Sequence, residues 1–475
     1  MSAPGPTRAV AEGSRSDGYE VFVRNKLLMH PPTGLDCVPP LSPSLFPHQR
    51  DLTTWALRRG RSAVFADTGL GKTRMELEWA RVVSEHERRP VLILAPLAVA
   101  AQTVAESAIM GIDCRELREP SSDGLIHITN YERLHKFNPA DYCGVVLDES
   151  SIIKHHTAKT LGILIDAFGR HKWKLCASAT PAPNDHTELG THAEFLGICS
   201  RVEMLSEYFT HDGGETQKWR LKGHARERFW EWVSTWAALV QKPSDLGYCD
   251  EGYALPQLRV EHHEVEVEIN DVLAGGRLVA SMASTLTERR QARRESMGGR
   301  VAAVADLVNH DMQPWVVWCE LNAESEALVR AIPEAVEVRG SQTIEEKEAR
   351  LRAFADGSAR VIVTKPSIAG FGLNWQHCAR MAFVGVSDSW ESYYQAVRRS
   401  WRFGQAREVN VHIYSSESEG AVLANLTRKE REAAEMSREL SALTQASVRA
   451  NVLGSRRDTN VYGPVTPMEV PAWLK

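Results

Sequence analysis

Phe65-Ala66-Asp67-Thr68-Gly69-Leu70-Gly71-Lys72-Thr73 decides how this 475-residue chain is read. Arg61 to Phe65 ends in an apolar run suited to a strand, and Met75 to Val83 has a helical pattern. A Gly-rich turn joins the two. Strand, tight loop and helix in that order are what a phosphate-binding loop requires. Backbone N–H groups converge on the phosphates, Lys72 adds charge at the β and γ positions, and Thr73 can coordinate Mg²⁺. The helix that follows turns its positive end towards the anion. The usual form, Gly-x4-Gly-Lys-Ser/Thr, has Gly where this chain has Ala66, so the strict pattern is missed by one residue.

The whole chain is long enough for two or three domains of roughly 150 residues. With 43% hydrophobic and 25% charged residues it has the composition of a soluble globular protein. A net charge of −5 gives no global nucleic-acid signal, although a basic groove can sit on an acidic body. No apolar run approaches the roughly 18 residues of a membrane helix. Met1 to Asp17 lacks the apolar centre of a signal peptide, and residues 1–40 read as a flexible segment. The eight cysteines form no Cys-x-x-Cys pair, which favours reduced thiols in the cytoplasm over disulfides or zinc.

Downstream of the loop, short apolar runs alternate with helical patterns. Val91 to Ala95, Leu125 to Thr129, Gly144 to Leu147 and Lys174 to Ser178 read as strands, and Ala98 to Met110 and Thr157 to Phe168 as helices. This predicts a parallel sheet covered on both faces, with ligands at the carboxyl ends of its strands. Asp148-Glu149-Ser150-Ser151 stands at one such end. There Asp148 would hold Mg²⁺ and Glu149 would orient and deprotonate an attacking water. Ser178-Ala179-Thr180-Pro181 ends another strand with small hydroxyl residues suited to relaying between sites. Upstream, Gln49 offers a donor and an acceptor to an adenine edge, or is a surface helix residue. His186, Glu188, His192 and Glu194 look ligand-like, but His186 and His192 are six apart and read as a polar helix face.

From Met204 to Met297 the alternation stops. Trp219, Phe229, Trp230, Trp232 and Trp236 suggest the small core of an inserted helical subdomain. Val260 to Ile269 reads as a half-exposed strand, with His262 and His263 at the surface. Arg289, Arg290, Arg293, Arg294 and Arg300 read as a solvated or phosphate-facing helix face. Alternation resumes at Trp315 to Cys319 and runs to Val409 to Tyr414, a second lobe without its own phosphate loop. Gly370, Gly372 and Asn374 form a loop after one of its strands. Gln395 to Gln405 follows another, and there Arg399 and Arg402, three apart, share a face if helical. Two such arginines suit a triphosphate whose charge rises in the transition state.

Taken together, the ordered motifs across residues 45–410 resemble helicase superfamily 2, and within it the Swi/Snf-like translocases. Ala66 to Thr73 resembles that branch's first motif, which often begins with Ala. Asp148-Glu149-Ser150-Ser151 stands for the acid box, with Ser151 where His or Asp is common. Ser178-Ala179-Thr180-Pro181 is similar to the third motif, Gly370 to Asn374 to the fifth, and Gln395 to Gln405 to the sixth. The compact extent resembles members encoded by bacteria and their phages.

The resemblance implies an α/β fold of two RecA-like parallel-sheet lobes with a helical insertion between them. The lobes would span 41–203 and 300–445, the insertion 204–299 and a tail 446–475. ATP and Mg²⁺ would lie in the cleft. Gln49, Thr68, Gly69, Leu70, Gly71, Lys72, Thr73, Gly372 and Gln395 would touch the nucleotide, and Thr73 and Asp148 the metal. Glu149, Lys72, Arg399 and Arg402 would be catalytic, and Ser178 and Thr180 would couple the sites. Thr364, Lys365 and Asn374 would meet nucleic acid, DNA more than RNA, with no membrane partner. The expected activity is a DNA-dependent ATPase that moves along DNA. A strand-separating helicase and a non-processive ATP-switched clamp are the alternatives.

Overall fold

The structure is a computed structural model. It describes residues 31–96, 99–154, 159–182, 185–212, 215–265, 294, 296–369, 374–387, 389–416, 425, 427–431, 445–446 and 448–454. Residues 1–30 of the expected N-terminal segment, Arg289, Arg290 and Arg293, the loop residues Gly370 and Gly372, and most of the charged segment after Gly420 lie outside the described residues.

Helix α1 (Pro47–Arg59) leads into β1 (Arg61–Ala66), and the loop then enters α2 (Lys72–Glu87). Strands β2 (Val91–Ala95), β3 (Cys114–Glu116), β4 (Ile126–Asn130), β5 (Gly144–Asp148) and β6 (Trp173–Ala177) follow. Helices α3 (Ala100–Ile109) and α4 (Lys159–Phe168) lie among them. After α5 (Leu189–Leu196) and α6 (Arg201–Tyr208) comes a hairpin of β7 (Phe209–Asp212) and β8 (Glu215–Leu221). Then α7 (Arg226–Trp236) runs straight into β9 (Ala237–Val240). The first sheet has the order β3-β4-β2-β5-β6-β1-β9, and every pair in it is parallel. Its inner strands β2, β4, β5 and β6 are buried along their whole length. That is why they read as continuous apolar runs rather than alternating ones.

β9 corrects the expectation of a separate inserted core. It pairs with β1, placing Ala63 beside Ala237 and Ala66 beside Val240, so the first sheet extends beyond the boundary expected at 203. Phe229, Trp230 and Trp236 on α7 are 0–1% exposed and join Phe65, Leu147 and Cys176 in one core. The Trp-rich helix is a crossover packed on the first sheet. Truncating such a buried aromatic costs about 3–5 kcal/mol. The segment before Gly454 is tied to the first lobe: Val448 and Val452 are buried in its other core, and Asn451 donates to the Ser234 carbonyl at 3.0 Å.

The second sheet begins with β10 (Leu258–Val265) and continues after α8 (Met297–His310) with β11 (Trp315–Trp318). Next come α9 (Asn322–Ala331), β12 (Ala335–Val338), α10 (Ile344–Ala355), β13 (Val361–Thr364), β14 (Arg380–Val384), α11 (Trp390–Val397) and β15 (Val409–Ser416). Its order is β10-β15-β14-β11-β13-β12, again all parallel. Arg300 is not on a cationic face. It is fully buried, paired with the equally buried Glu324 at 3.0 Å, and donates to the Val384 carbonyl at 2.7 Å. The cost of burying two charges is offset by these bonds and by the Glu320 and Leu321 N–H groups donating to Glu324. Two RecA-like parallel-sheet lobes therefore stand side by side, each with helices on both faces of its sheet.

Candidate functional site

The loop between β1 and α2 is shaped by its glycines and by the second lobe. Gly69 and Gly71 have φ of 94° and 82°, a region costly for any residue with a Cβ. A Cβ on Gly69 would stand 2.7 Å from Cβ of Phe403, and one on Gly71 would stand 2.2 Å from Nε2 of Gln49. Gln49 is 2% exposed, so it is no surface residue. Its Nε2 donates to the Leu70 carbonyl at 3.0 Å, and its Oε1 accepts from the Phe46 N–H at 3.0 Å. The amide expected to read an adenine edge is engaged in holding the loop. Lys72 donates from Nζ to the Ala66 carbonyl at 2.8 Å, and the Thr68 N–H donates to Asp67 Oδ1 at 2.6 Å.

Four carboxyl groups act on Lys72, those of Asp67, Glu76, Asp148 and Glu149. Asp148 ends β5, and its carbonyl accepts from the Tyr131 hydroxyl at 2.7 Å. Glu149 takes a left-handed φ of 54°, a costly setting for a side chain that fixes where its carboxylate points. Its Oε1 accepts from Ser178 Oγ at 3.0 Å and from Ser151 Oγ at 3.2 Å. Glu76, one turn into α2, is 1% exposed, and neither of its oxygens has a hydrogen-bond partner. Burial, and after it the neighbouring Asp148, pushes the Glu76 carboxyl well above the usual range. Burial and then Glu149 raise Asp148 to about 7, against the pull of Lys72. Burial also draws the Lys72 ammonium down, while Glu149, Asp67, Asp148 and Glu76 draw it up.

A buried set of acids richer in negative charge than its one lysine can neutralise fits a divalent cation. The glycine loop and the start of α2 fit a polyphosphate. The buried Asp148 and Glu76 are carboxyl groups that could hold such a cation.

The second lobe closes on this face. The Tyr394 hydroxyl donates to Asp67 Oδ1 at 2.9 Å, and the Arg398 guanidinium, 4% exposed, pairs with the same carboxylate. Lys154 pairs with Glu391 across the lobes. A continuous hydrogen-bond path joins the acid to the arginines. Ser178 Oγ donates to Glu149 and accepts from the Thr180 N–H at 3.1 Å. Thr180 Oγ1 accepts from Gln395 Nε2 at 3.2 Å, and Gln395 Oε1 accepts from the Arg399 guanidinium at 2.9 Å. Burial and then Arg402 pull the Arg399 guanidinium down, while Glu149 and Asp148 act in the opposite sense, so Arg399 stands in the field of the acid pair. Arg402 is drawn down by burial and then by Arg398. Because α11 ends at Val397, Arg399 and Arg402 lie in the turns beyond it and do not share a helix face. An inter-lobe cavity of about 530 Å³ opens beside the path, lined by Glu149, Ser151, Lys154, Ser367 and Glu391.

Other expectations are corrected. Thr364 is fully buried and donates to the Val338 carbonyl at 3.0 Å, because it ends a central strand, so its side chain does not reach nucleic acid. Lys365 is half-buried and Asn374 exposed, while Gly372 lies outside the described residues. His192 belongs to no polar face. It is fully buried against Phe65, beside Ser150 Oγ at 3.2 Å, and burial lowers its ring to about 4. Asp67, Glu76, Tyr394 and Arg398 were missed by sequence reasoning. The one signal for Glu76 was its place four residues after Lys72, hence on the same helix face.

Fold and site define a two-lobed α/β protein with a glycine-rich loop and a buried acid cluster facing the second lobe. Residues 299–404 match the Helicase conserved C-terminal domain. The chain is 23% identical over 441 residues to the DNA annealing helicase and endonuclease ZRANB3 of Mus musculus, which covers 84% of this chain but 41% of that protein. It also aligns with the Sulfolobus solfataricus SWI2/SNF2 ATPase core in complex with dsDNA at 16% identity and a TM-score of 0.40, over 90% of this chain and 98% of that one. Among the described residues no helix is long and apolar enough to cross a membrane.

Proposed function

We propose that the chain is a DNA-stimulated ATPase that couples hydrolysis in the inter-lobe cleft to movement along DNA. The observation that carries this is the path Glu149–Ser178–Thr180–Gln395–Arg399, which links the acid of one lobe to the arginine of the other. In this reading Lys72 and the loop N–H groups hold the phosphates, and Thr73 and Asp148 hold Mg²⁺. When bound, ATP with Mg²⁺ supplies the phosphoryl group and the charge compensation for its transfer to water. Glu149, with Oε1 fixed by two serines, takes the proton of the attacking water at Oε2. Arg399 and Arg402 meet the charge that grows on the γ-phosphate. Loss of the γ-phosphate releases the arginines, the lobes part, and repeated cycles step the protein along a strand.

The relative named above is a DNA annealing helicase, which favours DNA over RNA as the partner. The inter-lobe cavity and the exposed Asn374 lie on the lobes that DNA would cross. Backbone contacts would make such binding largely sequence-independent and salt-sensitive. ATPase assays with duplex DNA, single-stranded DNA and RNA test the proposal. Stimulation by DNA is expected, and stimulation by RNA alone would overturn it. Strand displacement on a forked substrate separates movement from unwinding.

A further inference from the structure

Three ligand-type side chains meet at the edge of the second sheet, outside the nucleotide cleft. β10 runs parallel to β15, with Glu261 opposite His412 and His263 opposite Tyr414. Glu261 and His263 are two apart on a strand and so share a face, and His412 lies on that face of the next strand. Nε2 of His263 is 3.0 Å from Nδ1 of His412. Oε2 of Glu261 is 3.5 Å from His412 Nδ1 and 3.9 Å from His263 Nε2. The point equidistant from three atoms so spaced lies about 2.0 Å from each, which is the bond length of zinc to imidazole nitrogen and carboxylate oxygen.

The surroundings fix the ligands. The His263 ring stacks on Tyr414 at 4.5 Å between centroids, and His412 rests against Trp315 at 5.8 Å. Arg259 takes the other oxygen of Glu261 at 2.8 Å, which turns Oε2 towards the imidazoles. A hydrogen bond between the two histidines accounts for their own contact. It does not account for a carboxylate oxygen close to both nitrogens.

We propose that Glu261, His263 and His412 bind one divalent transition-metal ion of the zinc type, with an open fourth position. Two imidazoles and a carboxylate are ligands for zinc and its neighbours rather than for Mg²⁺. Arg259 and Arg380 stand close enough to act on His412 and oppose a dication, so micromolar affinity is expected rather than that of a four-ligand structural site. β10 is the strand by which the chain from the first lobe enters the second sheet. A metal here clips that entry to β15.

The full chain, stripped with chelator and held in excess Mg²⁺ to fill the nucleotide site, is titrated with Zn²⁺ by calorimetry and with Co²⁺ by visible absorption. One equivalent at micromolar affinity, an upward shift in Tm, and loss of both in Glu261→Gln and His263→Gln are expected. These two residues are part-exposed, and circular dichroism verifies that the variants fold. Absence of a one-equivalent site overturns the proposal, as does binding that persists in both variants, which would assign the metal elsewhere. ATPase activity is not the readout, so this result stands apart from the fate of the nucleotide-cleft reading.

Discussion

Arg398→Ala should open the cleft. In the closed arrangement the Arg398 guanidinium bridges to Asp67 of the phosphate loop, with side-chain exposures of 4% and 27% for the two partners. Its other contacts, to the Tyr394 hydroxyl and to the faces of Tyr394 and Trp401, lie within the second lobe and persist when the lobes part. The closure-specific loss is therefore the ion pair. Exposed pairs contribute about 0.2–1 kcal/mol, and breaking a buried one costs about 3–5 kcal/mol. With one partner buried and the other a quarter exposed, about 2 kcal/mol is appropriate after discounting for solvent. That is roughly a 30-fold shift of the closed-to-open ratio. Dyes on Ile109→Cys and Met312→Cys, at side chains 72% and 74% exposed on opposite lobes, would report it by single-molecule energy transfer. Cys37 and Cys249, the exposed cysteines, are replaced by serine in this background. Asp67→Asn should open the cleft similarly, and the double variant should add little. If the two effects sum independently, with a coupling below about 0.5 kcal/mol, the bridge does not hold the lobes and the reasoning fails.

Glu149→Gln should retain ATP affinity while kcat falls by about 10²–10⁴, as single-turnover and filter-binding measurements would show; near-wild-type turnover removes Glu149 from its role. Lys72→Ala should lose ATP binding, and unchanged affinity contradicts the loop assignment. The raised Asp148 makes the folded chain bind a proton more tightly than the unfolded chain does. Its contribution is full in acid and is lost as pH rises through about 7, so without metal or nucleotide Tm should fall by at least about 2 °C between pH 5 and 8, less so in Asp148→Asn. A flat profile common to both would contradict this. Trp230→Ala should cost about 3–5 kcal/mol in the unfolding of the first lobe itself, because its ring lies in that lobe's core; a separate early transition with the lobe unaffected would restore the inserted-subdomain reading.

What could be read from the sequence depended on how each group meets its surroundings. β2, β5, β6 and β11 were visible because strands buried on both faces are unbroken apolar runs. Lys72, Asp148 and Glu149 were visible because each stands beside such a strand. β9 escaped because it is four residues long and follows α7 with no turn between them, so its Trp-rich crossover passed for an independent unit. Thr364 was misjudged for a related reason: a hydroxyl at a strand end is polar in sequence, yet the neighbouring strand's carbonyl takes it up. Glu76 looked like one more solvated helix acid, and only the sheet beneath α2 makes it a buried, unpartnered carboxylate.

The contacts that join the lobes are the least local of all. Asp67 and Arg398 are 331 positions apart, and nothing near either one indicates the other. The same holds for Thr180 and Gln395, 215 positions apart, whose bond completes the path from the acid to the arginine. Either end of that path alone could bind or neutralise a phosphate. The Gln395 amide accepts from Arg399 within the second lobe and donates to Thr180 across the cleft, so displacing one lobe breaks the Thr180 bond alone and cuts Arg399 off from the acid, which ties the link between them to the position of the second lobe.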